Sequence, residues 1–224
     1  MTAEINHLMD YEEKAAKELR NAEFRALQAQ INPHFLYNTL DNICALAELD
    51  EKETLIQLVM NLSSFYRSSL SNGKMHISIG QELEISRAYL EILQIRYFHK
   101  FDFTITCPEA LKNYSCIKLL LQPILENSIY HGIKGLDRHG ILHIEAEDAG
   151  DCIRFTISDN GRGFSKEDYE KIWQQDADHF GIKSIQQRIL LYYGPGYGLS
   201  MESPQTGGCI TVITLPKQEG LPCH

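Results

Sequence analysis

Three segments of this chain hold side chains whose types and spacing suit chemistry: QAQINPHFLYNTL over 28–40, QPILENSIYHG over 122–132 and ISDNGRGF over 157–164. In the first, His34 follows Pro33 on an amphipathic stretch, and a neutral imidazole offers a free lone pair as a nucleophile. In the second, Asn127 and His131 stand at i and i+4, so a helix brings them to one face. A neutral amide oxygen at Asn127 is a hard ligand for Mg2+ that adds no negative charge beside phosphates. In the third, Asp159 closes an alternating strand, CIRFTISD, and is followed by Gly161 and Gly163. Those glycines permit positive φ and let a flat ring approach the backbone closely. An ionised Asp159 accepts a hydrogen bond from the amino group of adenine, whereas guanine presents a carbonyl oxygen there and is repelled. Taken singly, each segment has an ordinary alternative: a solvated imidazole, an asparagine that ties down backbone, and a DNG hairpin turn. Their order along one chain gives them weight.

In that order the segments resemble the cytoplasmic kinase core of bacterial sensor histidine kinases of the LytS/YesM type, whose ATP-binding half belongs to the GHKL superfamily. The resemblance runs from about residue 20 to residue 216. INPHFLYNTL is its most specific element, while DNGRGF alone would indicate no more than a GHKL-like pocket. It implies autophosphorylation of His34 by ATP with Mg2+, then transfer of the phosphoryl group to an aspartate on the receiver domain of a response regulator. It also implies that Asp159 binds adenine and that residues 165–180 form a lid. Gly181 opens the helix GIKSIQQRILLYY, whose first amides would face phosphate oxygens with Lys183 as counter-charge. The chain departs from its relatives at His179 and Ser184 around Gly181, at Tyr130 where many carry lysine, and at Cys209 where threonine commonly follows Gly208. Phe35 occupies the place where the larger histidine kinase families put a glutamate base, which leaves Glu126 as a candidate base. Asn38, one turn after His34 on the same exposed face, is a candidate for holding a water in a phosphatase step. A nucleotide-sensing scaffold without catalysis, and a GHKL ATPase or serine kinase, are the alternative functions.

Composition narrows the partners. A net charge of −9 argues against a direct nucleic-acid surface, because phosphate neutralisation needs clustered Lys and Arg. Six cysteines, Cys44, Cys107, Cys116, Cys152, Cys209 and Cys223, fall at irregular intervals without a CxxC pair, as expected of thiols in a reducing compartment. No stretch approaches eighteen apolar residues and no signal peptide opens the chain. The resemblance implies a membrane anchor upstream of this fragment, which places the fragment at the cytoplasmic face of the bacterial membrane.

The elements that must position these residues follow from periodicity. Ile5, Leu8, Glu12, Ala15, Leu19, Ala22, Ala26 and Ala29 alternate in steps of three and four, the seam of a short coiled coil. The seam continues through Leu36, Leu40, Ile43 and Ala47, and His34 projects roughly 160° from Leu36. Pro33 bends the helix just before the histidine. Leu55, Leu58, Val59, Leu62, Phe65 and Tyr66 predict a second helix folding back as a hairpin, so two copies would make a four-helix bundle and a homodimer. Ser71–Lys74 marks a boundary, which divides the chain into 1–73 for dimerisation and phosphotransfer, 74–217 for ATP binding, and a tail over 218–224. Beyond it, a helix over 80–97 and a strand at FDFTITC precede a helix from Leu119 to His131, with Leu121, Ile124, Leu125 and Ser128 turned toward packing. His139 and His143 flank the strand ILHIEAE and lack the helical spacing of metal ligands. The expected fold is α+β: a dimerising helical hairpin followed by a GHKL (Bergerat) α/β sandwich.

Overall fold

A computed structural model describes residues 33–70, 75–173 and 180–219. The expected coiled-coil positions from Ile5 to Ala29, the 71–74 boundary, His179 and Cys223 lie outside the described residues. Helix α1 (Pro33–Glu48) and helix α2 (Lys52–Leu70) form the hairpin. Asp50 turns the chain at φ 57°, and the Glu51 N–H donates to the Leu46 carbonyl at 3.0 Å. This left-handed residue past the last turn satisfies carbonyls that the helix leaves unpaired.

The face of α1 buried within the chain is not the Leu36–Leu40–Ala47 stripe. Phe35 and Thr39 are buried, Ile43 and Leu46 pack beside them, and Leu40 is 43% exposed. The Phe35 ring meets Phe65 of α2 edge-on at 5.4 Å and Tyr89 of the next helix at 4.9 Å. Aromatic burial of this size outweighs a leucine stripe, so α1 is rotated by one residue from the expected seam. His34 is exposed on the other side.

After strand β1 (His76–Ser78), which pairs antiparallel with β3 (Ser115–Ile117), helix α3 runs from Ile79 to Arg96. Its start is a capping box: Ser78 Oγ accepts from the Gln81 N–H at 3.2 Å and Gln81 Oε1 accepts from the Ser78 N–H at 3.0 Å. Tyr89, Leu90, Ile92 and Leu93 are fully buried, so α3 carries much of the core. The main sheet has the order β2 (Phe101–Thr106), β4 (Gly140–Asp148), β5 (Cys152–Asp159), β7 (Cys209–Pro216), β6 (Gly198–Glu202). The β2–β4 pair is parallel and the others antiparallel, which makes a mixed sheet. Alternation along β4 buries Leu142, Ile144 and Ala146 and leaves Ile141, His143 and Glu145 to solvent.

The remaining helices are α4 (Gln122–Asn127), α5 (Lys166–Trp173) and α6 (Phe180–Tyr193). The segment expected to be one helix from Leu119 to His131 is shorter and compound. It begins at Gln122 with Pro123 in its first turn, where no N–H is needed. Beyond Asn127 it widens into a π-helix over Ser128–Ile133, continued by a bond from the Lys134 N–H to the Ile129 carbonyl at 2.8 Å. Such single π-turns occur often at functional sites.

Candidate functional site

The buried row of β5 runs Ile153, Phe155, Ile157, Asp159. Period-two alternation therefore places the Asp159 carboxylate on the inner face, at the point where the strand ends. In the next strand Cys209 is its cross-strand partner. A cavity of about 590 Å³ opens here, within the range of small-ligand sites. Asn127, Ser128, His131 and Gly132 form one wall. Asp159 and Cys209 form the floor, and Arg162, Gly163, Phe164, Ser165, Asp168 and Ile172 close the far side.

Asp159 Oδ1 accepts from the Gly161 N–H at 2.8 Å. The Ser128 hydroxyl and the Cys209 N–H lie against the same carboxylate. Burial raises the Asp159 carboxyl above the usual carboxylate range, opposed by those three donors. Its Oδ2 is shut from solvent and has no hydrogen-bond partner. A buried oxygen in that state costs free energy until a donor reaches it.

Small residues let the two walls meet. A Cβ on Gly161 would lie 2.6 Å from Asp159 Oδ1 and 2.7 Å from the Gly132 backbone. Gly163 sits at φ 72°, a conformation that favours glycine. The turn is pinned from outside: Arg138 Nη2 donates to the Asn160 carbonyl at 2.5 Å, and Asn160 Oδ1 accepts from the Ile141 N–H at 2.8 Å. DNG is therefore not a hairpin turn, because the chain passes Phe164, whose N–H donates to Ser203 Oγ at 3.1 Å, and enters α5.

Asn127 and His131 both face the cavity, and so does Ser128, which corrects its assignment to packing. Glu126 does not line the cavity. Its Oε1 accepts from Gln122 Nε2 at 3.0 Å, and its carboxylate faces the buried Tyr89 hydroxyl. Gly181 and Lys183 are also absent from the lining. A Cβ on Gly181 would come 3.2 Å from Pro123 Cβ, so the first turn of α6 abuts α4. Residues 174–179, the central part of the expected lid, lie outside the described residues. Asn38 is half-buried, with its Nδ2 shut from solvent and without a hydrogen-bond partner, so its amide is not on the exposed face with His34. Tyr130 accepts from Arg96 Nη1 at 3.1 Å, and Lys134 lies 5.7 Å from its ring, so two cations flank this departure. Burial pushes the Cys209 thiol up to about 11, which keeps it protonated at neutral pH.

Sequence reasoning missed Gly132 and Ser128 as a partner of Asp159, whereas the α5 wall falls within residues 165–180, the segment expected as the lid. One signal for α5 was present: Ser165 and Asp168 have capping spacing, and Asp168 Oδ2 accepts from the Ser165 N–H at 3.1 Å while Ser165 Oγ accepts from the Asp168 N–H at 3.1 Å. Among the described residues, no group of three or more His, Cys, Asp or Glu side chains is arranged to hold a metal ion.

A mixed sheet under helices, with a buried carboxylate at a strand end facing a glycine-lined cavity, defines a GHKL-type ATPase domain. Residues 114–219 match the family described as histidine kinase-, DNA gyrase B- and HSP90-like ATPase, and residues 22–101 match the family described as histidine kinase. The chain belongs to the histidine kinase family, and it is similar over most of its length to sensor kinases of the YesM and LytS type. It is 35% identical to sensor histidine kinase YesM of Bacillus subtilis (strain 168), over 96% of this chain and 37% of that protein. It is 32% identical to sensor histidine kinase YpdA of Escherichia coli (strain K12), over 85% and 34%. To sensor histidine kinase/phosphatase LytS of Staphylococcus aureus (strain MRSA252) it is 28% identical, over 87% and 34%. The chain thus spans about a third of the length of these curated relatives. Among solved structures, the catalytic domain of histidine kinase ThkA superposes with a TM-score of 0.51 at 16% identity, over 65% of this chain and 97% of that one. ThkA in complex with the response regulator protein TrrA gives 0.50 at 16% identity, over 94% and 66%. These two likenesses concern the fold.

Proposed function

We propose that this chain is the kinase core of a two-component sensor, which transfers the γ-phosphoryl group of ATP to His34 and then to an aspartate on a response regulator. The observation that carries the reading is Asp159: a buried carboxylate at the floor of a cavity of about 590 Å³, with an oxygen that lacks a donor. The adenine amino group supplies that donor. A His34 ring nitrogen attacks the γ-phosphorus, the bond to the bridging oxygen breaks, and ADP leaves. Positioning and charge neutralisation provide most of the rate in such transfers.

Mg2+ suits the residues present. With no carboxylate cage among the described residues, the ion would be held by phosphates, water and the Asn127 amide, as its preference for few protein ligands requires. It would supply Lewis-acid neutralisation of the phosphates. His131, Gly163 and Arg162 complete the nucleotide wall on this reading, while Gly181 and Lys183 would act at the phosphates through the lid segment.

Three partners belong to the proposal. A homodimer is supported by exposed apolar side chains on the hairpin, Tyr37 at 66%, Ile56 at 56% and Met60 at 62%, which a four-helix bundle would cover. A receiver domain is supported by the ThkA complex. Attachment at the cytoplasmic face of the membrane belongs to a larger sensor. No helix among the described residues is long and apolar enough to cross a membrane.

A second activity, dephosphorylation of the regulator, is favoured by the kinase/phosphatase name of the S. aureus relative, and Asn38, one turn from His34, would serve it only by turning its amide outward. Incubation with labelled ATP tests the main reading. Acid-labile, base-stable label should appear on the parent and vanish in His34→Gln while nucleotide binding persists. No turnover would favour a sensing scaffold, and turnover without histidine label a GHKL ATPase or serine kinase.

A further inference from the structure

The turn that launches α4 is held by a buried and a half-buried side chain from elements far apart in sequence. Glu82 of α3 is fully buried, and its two oxygens accept from the N–H groups of Leu119 and Leu121, each at 2.8 Å. Arg188 of α6 donates through Nη1 to the Leu119 carbonyl at 3.2 Å and through Nη2 to the Lys118 carbonyl. Leu119 lies at φ 54°, a left-handed conformation that a leucine rarely adopts without such support. The Leu121 carbonyl then accepts from the N–H groups of Ile124 and Leu125, both at 3.0 Å, so the clamped residue is also the one that starts the helix.

Burial raises the Glu82 carboxyl, opposed by the backbone N–H groups and the Arg188 charge. Opposite charges drawn out of water contribute little net stability over apolar side chains of similar shape. Their value here is geometric. Two side chains take four backbone groups of one turn, which holds its geometry from both flanks.

We propose that Glu82 and Arg188 are positioning residues that set α4 over the cavity, and that they couple Asn127, Ser128 and His131 to α6. The proposal rests on the cavity being the nucleotide site. A displacement of α6 is then felt at the nucleotide wall through Arg188, and a displacement of α3 through Glu82.

The test is ATP binding by calorimetry beside thermal melting. Glu82→Gln retains one acceptor oxygen but sets an amide N–H₂ against a backbone N–H, and should bind ATP about tenfold or more weakly. The double variant Glu82→Gln/Arg188→Met also removes the Arg188 charge that faces Glu82, so its melting temperature should recover toward the parent while its ATP affinity stays low. Recovery of both would make the pair a charge-balance feature and overturn the proposal. So would parental affinity in Glu82→Gln. Should Glu82→Gln not fold, Arg188→Lys keeps the charge but loses the fork that holds two carbonyls. It should melt near the parent and still bind about tenfold more weakly, and parental affinity there would overturn the proposal. Failure of the parent to bind ATP overturns the nucleotide reading and this one together. Weak binding by Asp159→Asn with parental binding by Glu82→Gln ends this inference alone.

Discussion

Replacing Asp159 by asparagine exchanges one oxygen for an N–H₂ group in a site otherwise left intact. The amide oxygen can still accept from the Gly161 N–H, now at 2.8 Å from Oδ1. The amide N–H₂ takes the place of Oδ2, the atom that has no hydrogen-bond partner. It would face the adenine amino group donor to donor. A hydrogen bond to a charged group is worth about 1.5–3 kcal/mol, so ATP should bind roughly ten- to hundredfold more weakly. Burial raises the carboxyl of Asp159, so neutralising it relieves desolvation, and the unliganded variant should melt no lower than the parent. The same shift sets two pH trends of opposite sign. ATP affinity should decline as pH falls through the raised pKa, because the protonated acid is a poorer acceptor. Asp159's contribution to unliganded stability is fully present below the unfolded pKa and is lost as pH rises through the folded one. Calorimetry with ATP and GTP on parent and variant, with melting curves across pH, reads all of this. Unchanged ATP affinity in Asp159→Asn, or equal binding of ATP and GTP by the parent, would remove Asp159 from the adenine pocket.

Asn127→Ala should lose Mg2+-dependent labelling of His34 more severely than it loses adenosine binding; equal loss of both would make the residue a support of the fold. Gly161→Ala forces a Cβ within 2.6 Å of Asp159 Oδ1 and 2.7 Å of the Gly132 backbone. It should cost about 1–3 kcal/mol in a denaturant melt, with loss of ATP binding, and a melt superimposable on the parent would refute the crowding. Asn38→Ala should keep most autophosphorylation but slow clearance of a purified phospho-regulator, and equal clearance rates would leave Asn38 without a phosphatase role.

What the residues determined unaided was local. Alternation in CIRFTISD put Asp159 on the same face as Ile153, Phe155 and Ile157, and that row is buried. Spacing of four put Asn127 and His131 on one wall of one cavity. Both follow from the backbone period, which needs no partner from elsewhere in the chain. Tertiary structure decided what depended on a distant partner. The rotation of α1 was set by Phe35 against Tyr89, 54 residues on, and not by the leucine stripe beside it. Ser128, an ordinary helix residue by spacing, became a wall residue because the helix widened into a π-turn beside Asp159. Gly181 and Lys183 stand outside the described cavity because the start of α6 packs on Pro123. Glu82 gave no signal at all: a glutamate on an apolar helix looks solvated until the fold brings two backbone N–H groups from a turn 37 and 39 residues away onto its oxygens. Periodicity fixes which residues share a face, but the face that wins burial is chosen by competition among all the surfaces the chain can offer it.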